Sequence, residues 1–239
     1  MPSSGPTLQT IEGAVFDLDG TLVDNMPFHI EAFGAFAENH GLPPLTLERR
    51  KWMDGKRNAD IFPGLFGRQL SPAEIAAMAD EKESMYRRIS AGRLTPLRGL
   101  IRLLDLLEHA RVPVAVATSA PQENVTHTLG ELGLADRFRM VARSDEVPRG
   151  KPEPDVFLEA ARLMKAAPER CLAFEDAPAG IIAARRAGMV TVAVATSYPR
   201  EVLAVTDPPP HYVVADFDEF LEGDGAWVAS LLQESRVAS

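Results

Sequence analysis

Hydrophobic and polar positions follow two different patterns along this chain. Gly13-Ala14-Val15-Phe16 is a short apolar run that breaks off in Asp17-Leu18-Asp19-Gly20-Thr21, as a buried strand followed by a polar glycine turn does. From about Met26 to Thr95 the spacing is helical and offers no good strand. Ile30, Phe33, Phe36 and Ala37 recur at helical intervals over 28–40, where Gly41 ends the helix. Ser71-Pro72-Ala73-Glu74 is a capping box with proline at the first helical position, and a long helix follows it. Thr95-Pro96-Leu97-Arg98-Gly99 marks a boundary. Beyond it, helices over 100–110, 123–132, 155–165 and 180–187 alternate with strands over 112–117, 138–142, 171–174 and 190–195, and Val213-Val214 is a weak last strand. Alternation of this kind implies right-handed crossovers and a mostly parallel sheet covered on both faces. The expected fold is therefore α/β: a Rossmann-like, doubly wound parallel sheet core, formed by 1–25 and 97–239, with an inserted small all-helical cap domain over 26–96. An insertion after the first strand sits above the carboxyl ends of the strands, where open α/β sheets bind ligands. It is a candidate lid, with hinges near Asn25 and Pro96.

Composition narrows the class. The 239 residues are 46% hydrophobic and 25% charged, which is ordinary globular composition and enough chain for a core without disulfide staples. Lys and Arg number 25 against 34 Asp and Glu, a formal net charge of -9, so nucleic-acid backbones and anionic membranes are not expected partners. A single cysteine fits a reducing compartment. Met1-Pro2-Ser3-Ser4-Gly5-Pro6 has neither the basic nor the apolar region of a signal peptide, and no apolar run approaches the length of a membrane span. The expectation is a cytoplasmic protein, and at this size a monomer.

The chemistry gathers where the strands end. Asp17 and Asp19 lie two residues apart and point the same way. Burying like charges together requires a cation, for which Mg²⁺ suits oxygen ligands, or a proton on one of them; the plain alternative is an Asp-rich turn capping a helix. Thr118-Ser119 follows the second strand and could form an anion nest or simply cap a helix. Lys151, fixed between Gly150 and Pro152, could act as a point charge for phosphate or stand in solvent. Glu175-Asp176 is a second acidic pair at a strand end, with a helix cap as its plain alternative. Parallel strands bring such termini to one edge of the sheet.

The ordered set of these segments resembles the motifs of the haloacid dehalogenase superfamily. Asp17-Leu18-Asp19-Gly20-Thr21 resembles the first, Thr118-Ser119 the second, Lys151-Pro152 the third, and Glu175-Asp176 with Ala177 to Ile181 the fourth. The helical insert resembles the small cap of the β-phosphoglucomutase-like branch. The resemblance implies an aspartyl-phosphate on the nucleophile Asp17, with Asp19 as general acid/base able to carry a proton while Asp17 stays ionised. It implies Mg²⁺ held by Asp17, the backbone carbonyl of Asp19 and Asp176, with Glu175 close by. Thr118, Ser119 and Lys151 would hold the phosphoryl oxygens. In the cap it points to His29, Arg57, Asn58 and Lys82 as substrate-facing candidates. Each also has a structural reading: a satisfied helix-face histidine, a basic turn opening a helix, a solvated lysine. Asp24 is expected to pin the turn into the cap. The implied function is a Mg²⁺-dependent phosphatase for a small phosphorylated metabolite, with a β-phosphoglucomutase-type hexose-phosphate mutase as the alternative. Below these rank a non-catalytic protein that binds a phosphorylated ligand and a dehalogenase. Asn25 after Asp24, and Lys56-Arg57-Asn58 in the cap loop, depart from the mutase pattern.

Overall fold

The computed structural model describes residues 10–53, 56–223, 225–228 and 230; Gly55 of the cap loop and the segment Met1 to Pro6 lie outside them. Six strands form one sheet: β1 (Gly13–Phe16), β2 (Val114–Thr118), β3 (Val141–Arg143), β4 (Cys171–Glu175), β5 (Val190–Val194) and β6 (Tyr212–Val214). Their spatial order is β3-β2-β1-β4-β5-β6 and every pairing is parallel. Chain order therefore reverses between β1 and β4, and a crevice opens at their carboxyl ends.

The period of two along each strand sorts side chains to the two faces. Ala14, Phe16, Val116, Leu172 and Phe174 turn to one face. There they meet Leu100, Leu103, Leu104 and Leu107 of α5 (Leu100–His109), Val125 and Leu129 of α6 (Gln122–Glu131) and Phe217 and Phe220 of the helix Phe217–Glu222. Phe16 and Phe174 stack at 4.8 Å across neighbouring strands. Val15, Ala115, Ala117, Cys171 and Ala173 turn to the other face, against α7 (Asp155–Met164) and α8 (Pro178–Arg186). Alanines on the helix side of that contact (Ala160, Ala161, Ala183, Ala184) meet Ala115, Ala117 and Ala173 of the sheet and keep the layers close. Cys171 sits here as a core thiol, its pKa pushed up to about 12 by burial.

Among the described residues between β1 and α5 come four helices and no strand: α1 (Met26–Asn39), α2 (Leu47–Met53), α3 (Asn58–Phe66) and α4 (Pro72–Ser90). They share a hydrophobic cluster of their own, Phe36, Met53, Ile61, Phe62 and Leu65. Pro27 near the start of α1 suits a first turn, and α1 begins two residues before the periodic run. The Ser71 capping box forms: Ser71 Oγ accepts from Glu74 N–H at 3.3 Å, and Glu74 Oε2 accepts from Ser71 N–H at 2.8 Å. The chain enters and leaves this insert through adjacent segments, because Leu97 N–H donates to Leu22 C=O at 2.8 Å. No helix among the described residues is long and apolar enough to cross a membrane.

One strand differs from its sequence reading. The run over 138–142 pairs only from Val141, opposite Val116 of β2. Phe138 is buried for another reason: it packs edge-on against Phe16, ring centres 5.5 Å apart, from an irregular segment. The remaining strands shift by one or two residues at their ends.

Candidate active site

The crevice between β1 and β4 opens into a cavity of about 120 Å³ whose floor is the sheet edge and whose roof is the helical insert. Asp17 follows β1 directly, and its N–H donates to Phe174 C=O at 2.9 Å, so the ladder itself fixes where its carboxylate emerges. Glu175 ends β4 and Asp176 follows it. Lys151 Nζ donates to Asp17 Oδ1 at 2.5 Å and to Glu175 Oε1 at 2.6 Å. Thr21 donates to Asp176 Oδ1 at 3.2 Å, and Ser197 donates to Asp176 Oδ2. Two glycines permit these approaches. Gly20 has φ of +84° and lies so near that a Cβ would stand 2.0 Å from Asp176 Oδ2; at Gly180 it would stand 1.6 Å from Glu175 Oε1. Thr118, buried at the end of β2, accepts Ala120 N–H at 3.0 Å through Oγ1, and Ser119 Oγ meets Ser144 Oγ at 3.2 Å. Asp17, Asp19, Thr118, Ser119, Lys151, Glu175 and Asp176 thus line one cavity.

Three buried carboxylates share one ammonium here. Burial pushes the pKa of Asp17 up to about 8 against the pull of Lys151, with Glu175 adding to the rise. Burial, then Glu175 and Asp17, lift Asp176 well above the carboxylate range. Burial opposes the Lys151 charge, but Asp17 and Glu175 outweigh it and hold its pKa above the ordinary value. One carboxylate oxygen each from Asp17, Glu175 and Asp176 lies within 4.8 Å of the other two. An all-oxygen donor set with excess negative charge fits a hard divalent cation such as Mg²⁺.

The Asp19 carboxylate stands apart from that cluster. Asn25 Nδ2 donates to Asp19 Oδ1 at 2.6 Å, and His29 Nε2 lies 3.4 Å from Asp19 Oδ2 without making a hydrogen bond. Burial works to raise the Asp19 pKa, but His29, Asn25 and Lys82 together hold it below the ordinary value. Without a cation the bias on the two aspartates runs the other way from the ionised Asp17 and proton-carrying Asp19 that the sequence reading expects with Mg²⁺ bound. Its cause is that His29, Asn25 and Lys82 stand close to Asp19 on the cap side, while the core side has more carboxylates than cations.

A family model for "Haloacid dehalogenase-like hydrolase" matches residues 14–194, from β1 to β5. The chain belongs to that family. This hydrolase is 36% identical to hexitol phosphatase A of Escherichia coli over 77% of its own length and 82% of that protein's. It is 32% identical to the β-phosphoglucomutase of Bacillus subtilis over 79% of its own length and 85% of that protein's. It spans half the length of the chloroplastic 5-amino-6-(5-phospho-D-ribitylamino)uracil phosphatase of Arabidopsis thaliana, at 29% identity over 78% of this chain. In fold it is similar to a HAD hydrolase of family IA, variant 3, from Entamoeba histolytica, with TM-score 0.81, 24% identity, and coverage of 93% of this chain and 100% of the other.

The cap candidates of this hydrolase divide. His29, Asn58 and Lys82 line the cavity; Arg57 does not. Its guanidinium is spent on Asp60, at 2.9 Å in the first turn of α3, and on Ser144 C=O at 3.4 Å, while the neighbouring Lys56 faces the cavity. Lys82 is buried, not solvated. Asp24 is exposed, and the residue that pins the turn is Asn25. Its Oδ1 accepts Gly20 N–H at 3.1 Å, and its Nδ2 reaches both Asp19 and the Tyr86 hydroxyl at 2.6 Å. Ser197, Glu83 and Asn124 also line the cavity without having been singled out from sequence.

Proposed function

We propose that this hydrolase is a Mg²⁺-dependent phosphatase that removes the phosphoryl group of a small phosphorylated metabolite of the sugar-phosphate class, by way of an aspartyl-phosphate on Asp17. The observation that supports it above all is the meeting of Asp17, Asp19, Thr118, Lys151, Glu175 and Asp176 in one buried cavity. The phosphatase names of relatives that share about a third of its residues point the same way.

Asp17, the Asp19 backbone carbonyl and Asp176, with Glu175 beside them, would hold the cation. When bound, Mg²⁺ supplies the positive charge that the three carboxylates lack, keeping Asp17 ionised and easing the approach of a phosphate dianion. Asp17 attacks phosphorus, and the bond from phosphorus to the ester oxygen breaks. Asp19 must take up a proton against the bias of His29, Asn25 and Lys82 before it can pass one to the departing oxygen; it then takes one from the water that hydrolyses the aspartyl-phosphate. Lys151 and the hydroxyls of Thr118 and Ser119 orient the phosphoryl oxygens, in a reaction governed by positioning and electrostatics. Phosphate release from a panel of phosphomonoesters is expected with Mg²⁺, and its loss with chelator or in Asp17→Asn. Equal turnover by Asp17→Asn and the wild type ends this reading.

One observation favours a second reading, a hexose-phosphate mutase. Cap and core meet through Asn124 Nδ2 to Glu83 Oε2 at 2.6 Å and Tyr86 Oη to Thr128 Oγ1 at 3.3 Å, contacts that would help hold the cap over an aspartyl-phosphate, as a mutase requires. β-Glucose 1-phosphate with a bisphosphate activator separates the two: glucose 6-phosphate forms in a mutase, inorganic phosphate in a phosphatase.

A further inference from the structure

The turn after β5 reaches across the sheet edge to two acid-bearing segments, and the chemistry derived so far gives it no task. β5 pairs with β4 so that Ala193 stands opposite Glu175, and the residues that follow β5 therefore run beside Asp176. The base of this turn is fixed. Ala195 N–H donates to Val214 C=O at 2.7 Å, and Thr196 N–H donates to Val194 C=O at 2.9 Å. From that base Thr196 Oγ1 donates to Gly20 C=O, just past Asp19, and Ser197 Oγ donates to Asp176 Oδ2. Thr21 Oγ1 takes the other oxygen, Asp176 Oδ1, at 3.2 Å. Between Thr21 and Ser197 the Asp176 carboxylate lies against the Gly20 backbone, where a Cβ would stand 2.0 Å from Asp176 Oδ2 and 2.8 Å from Ser197 Oγ. The adjacent hydroxyls of Thr196 and Ser197 thus tie together three segments far apart in sequence: the turn after β1, the end of β4 and the turn after β5.

A carboxylate held through one oxygen can turn about its Cβ–Cγ bond. One held through both oxygens, from two different turns, loses a hydrogen bond when it does. A hydroxyl brings no net charge to this wall, so Thr21 and Ser197 set where the Asp176 carboxylate points and leave the charge balance as it was. Direction matters to a small divalent ion. Mg²⁺ demands near-ideal octahedral geometry at about 2.0–2.1 Å, whereas Ca²⁺ accepts about 6–8 oxygens at longer distances in flexible sites. We propose that Thr196 and Ser197 are positioning residues that hold the Asp176 carboxylate and the turn carrying the Asp19 carbonyl in one rigid register, and that this rigidity makes the site select Mg²⁺ over Ca²⁺. The inference rests on the reading of Asp17, Glu175 and Asp176 as a cation site. It competes with a plainer account, in which Ser197 only satisfies a buried oxygen and steadies the fold.

Cation binding is read without substrate, from the rise of the full chain's unfolding midpoint with MgCl₂ or CaCl₂ concentration. The wild type is expected to bind Mg²⁺ more tightly than Ca²⁺. Ser197→Ala should weaken Mg²⁺ binding by roughly tenfold or more, as loss of a group that orients a metal ligand commonly does. It should weaken Ca²⁺ binding clearly less, so that the ratio of the two dissociation constants moves toward one. Thr196→Val frees the Gly20 carbonyl but leaves both hydroxyls on Asp176, and should move the ratio the same way by a smaller factor. A role confined to the fold gives a different result: a lower midpoint without metal, and both cations weakened in equal proportion. That result overturns the inference, as does a wild type that prefers Ca²⁺ or does not discriminate. An unchanged ratio in Thr196→Val removes Thr196 from the assignment, and decides the whole of it should Ser197→Ala not fold. A wild-type midpoint that neither cation raises sinks the cation reading and the inference together, whereas Mg²⁺ binding with an unmoved ratio sinks the inference alone.

Discussion

The core wall and the cap wall of the cavity handle charge in opposite ways. On the core side Asp17, Glu175 and Asp176 crowd around the single ammonium of Lys151, and the pKa values of Asp17 and Asp176 rise. On the cap side Asp19 and Glu83 are surrounded by Lys82, His29 and the amides of Asn25, Asn58 and Asn124, and their pKa values fall: burial opposes the charge in each, but these neighbours outweigh it. One wall is left short of positive charge and the other is satisfied by its own residues. A cavity of this kind asks for a cation at one end and a neutral, hydrogen-bonding group at the other. The proposed substrate, a sugar phosphate monoester bound with a divalent ion, has that distribution.

The sharpest break of this contrast is at the nucleophile. Asp17→Asn is expected to lower phosphate release on the order of 10⁴-fold or more, as removal of a covalent nucleophile does elsewhere; single-turnover phosphate release measures it. Next comes Lys151→Met, which leaves buried carboxylates without their ammonium. It should cost the cation-free protein about 3–5 kcal/mol in urea unfolding. Mg²⁺ should recover part of that loss, and should recover none of the loss in Lys82→Met, whose partners lie on the cap side.

A pH series tests the same asymmetry more gently. The raised Asp17 pKa, about 8 against an ordinary 3.8, means that the folded protein keeps a proton that the unfolded chain gives up. Without Mg²⁺ its contribution is therefore fully present below about pH 4 and is lost as pH rises toward 8. Asp19, with its pKa lowered, contributes in the other sense, losing stability as pH falls below its ordinary value. Unfolding midpoints at pH 5 and pH 8 should differ more in the cation-free protein than in the Mg²⁺-loaded one, and a Mg²⁺-independent difference would contradict the charge deficit on the core wall. The smallest effect is expected from Tyr86→Phe. It removes a hydroxyl shared with Asn25 and Thr128, worth about 1 kcal/mol in stability by denaturant unfolding.

The core wall was legible in the sequence because its residues adjoin strand ends. Asp17, Thr118, Glu175 and Asp176 follow short apolar runs, so the register of the sheet carries them to one edge. Much of the cap wall escaped a linear reading. Asp80-Glu81-Lys82-Glu83 looks like a solvated charge run, yet Lys82 and Glu83 are buried beside exposed Asp80. A signal was present: Lys82, Glu83, Tyr86 and Ser90 fall on one helical stripe, and all are buried. Asn25, Asn124 and Ser197 carry no such periodicity. Each is a lone polar residue whose role depends on what folding places opposite it, as Asp19, Glu83 and Asp176 are placed here.

The backbone bond from Leu97 N–H to Leu22 C=O joins the segment entering the insert to the segment leaving it. To the sheet beneath, the four helices are thus a closed loop fastened at its neck. The entropic cost of a closed loop rises only slowly with its length. A roof so attached can be lengthened, shortened or exchanged for another while the floor keeps its geometry, and specificity is free to diverge without disturbing the chemistry below it.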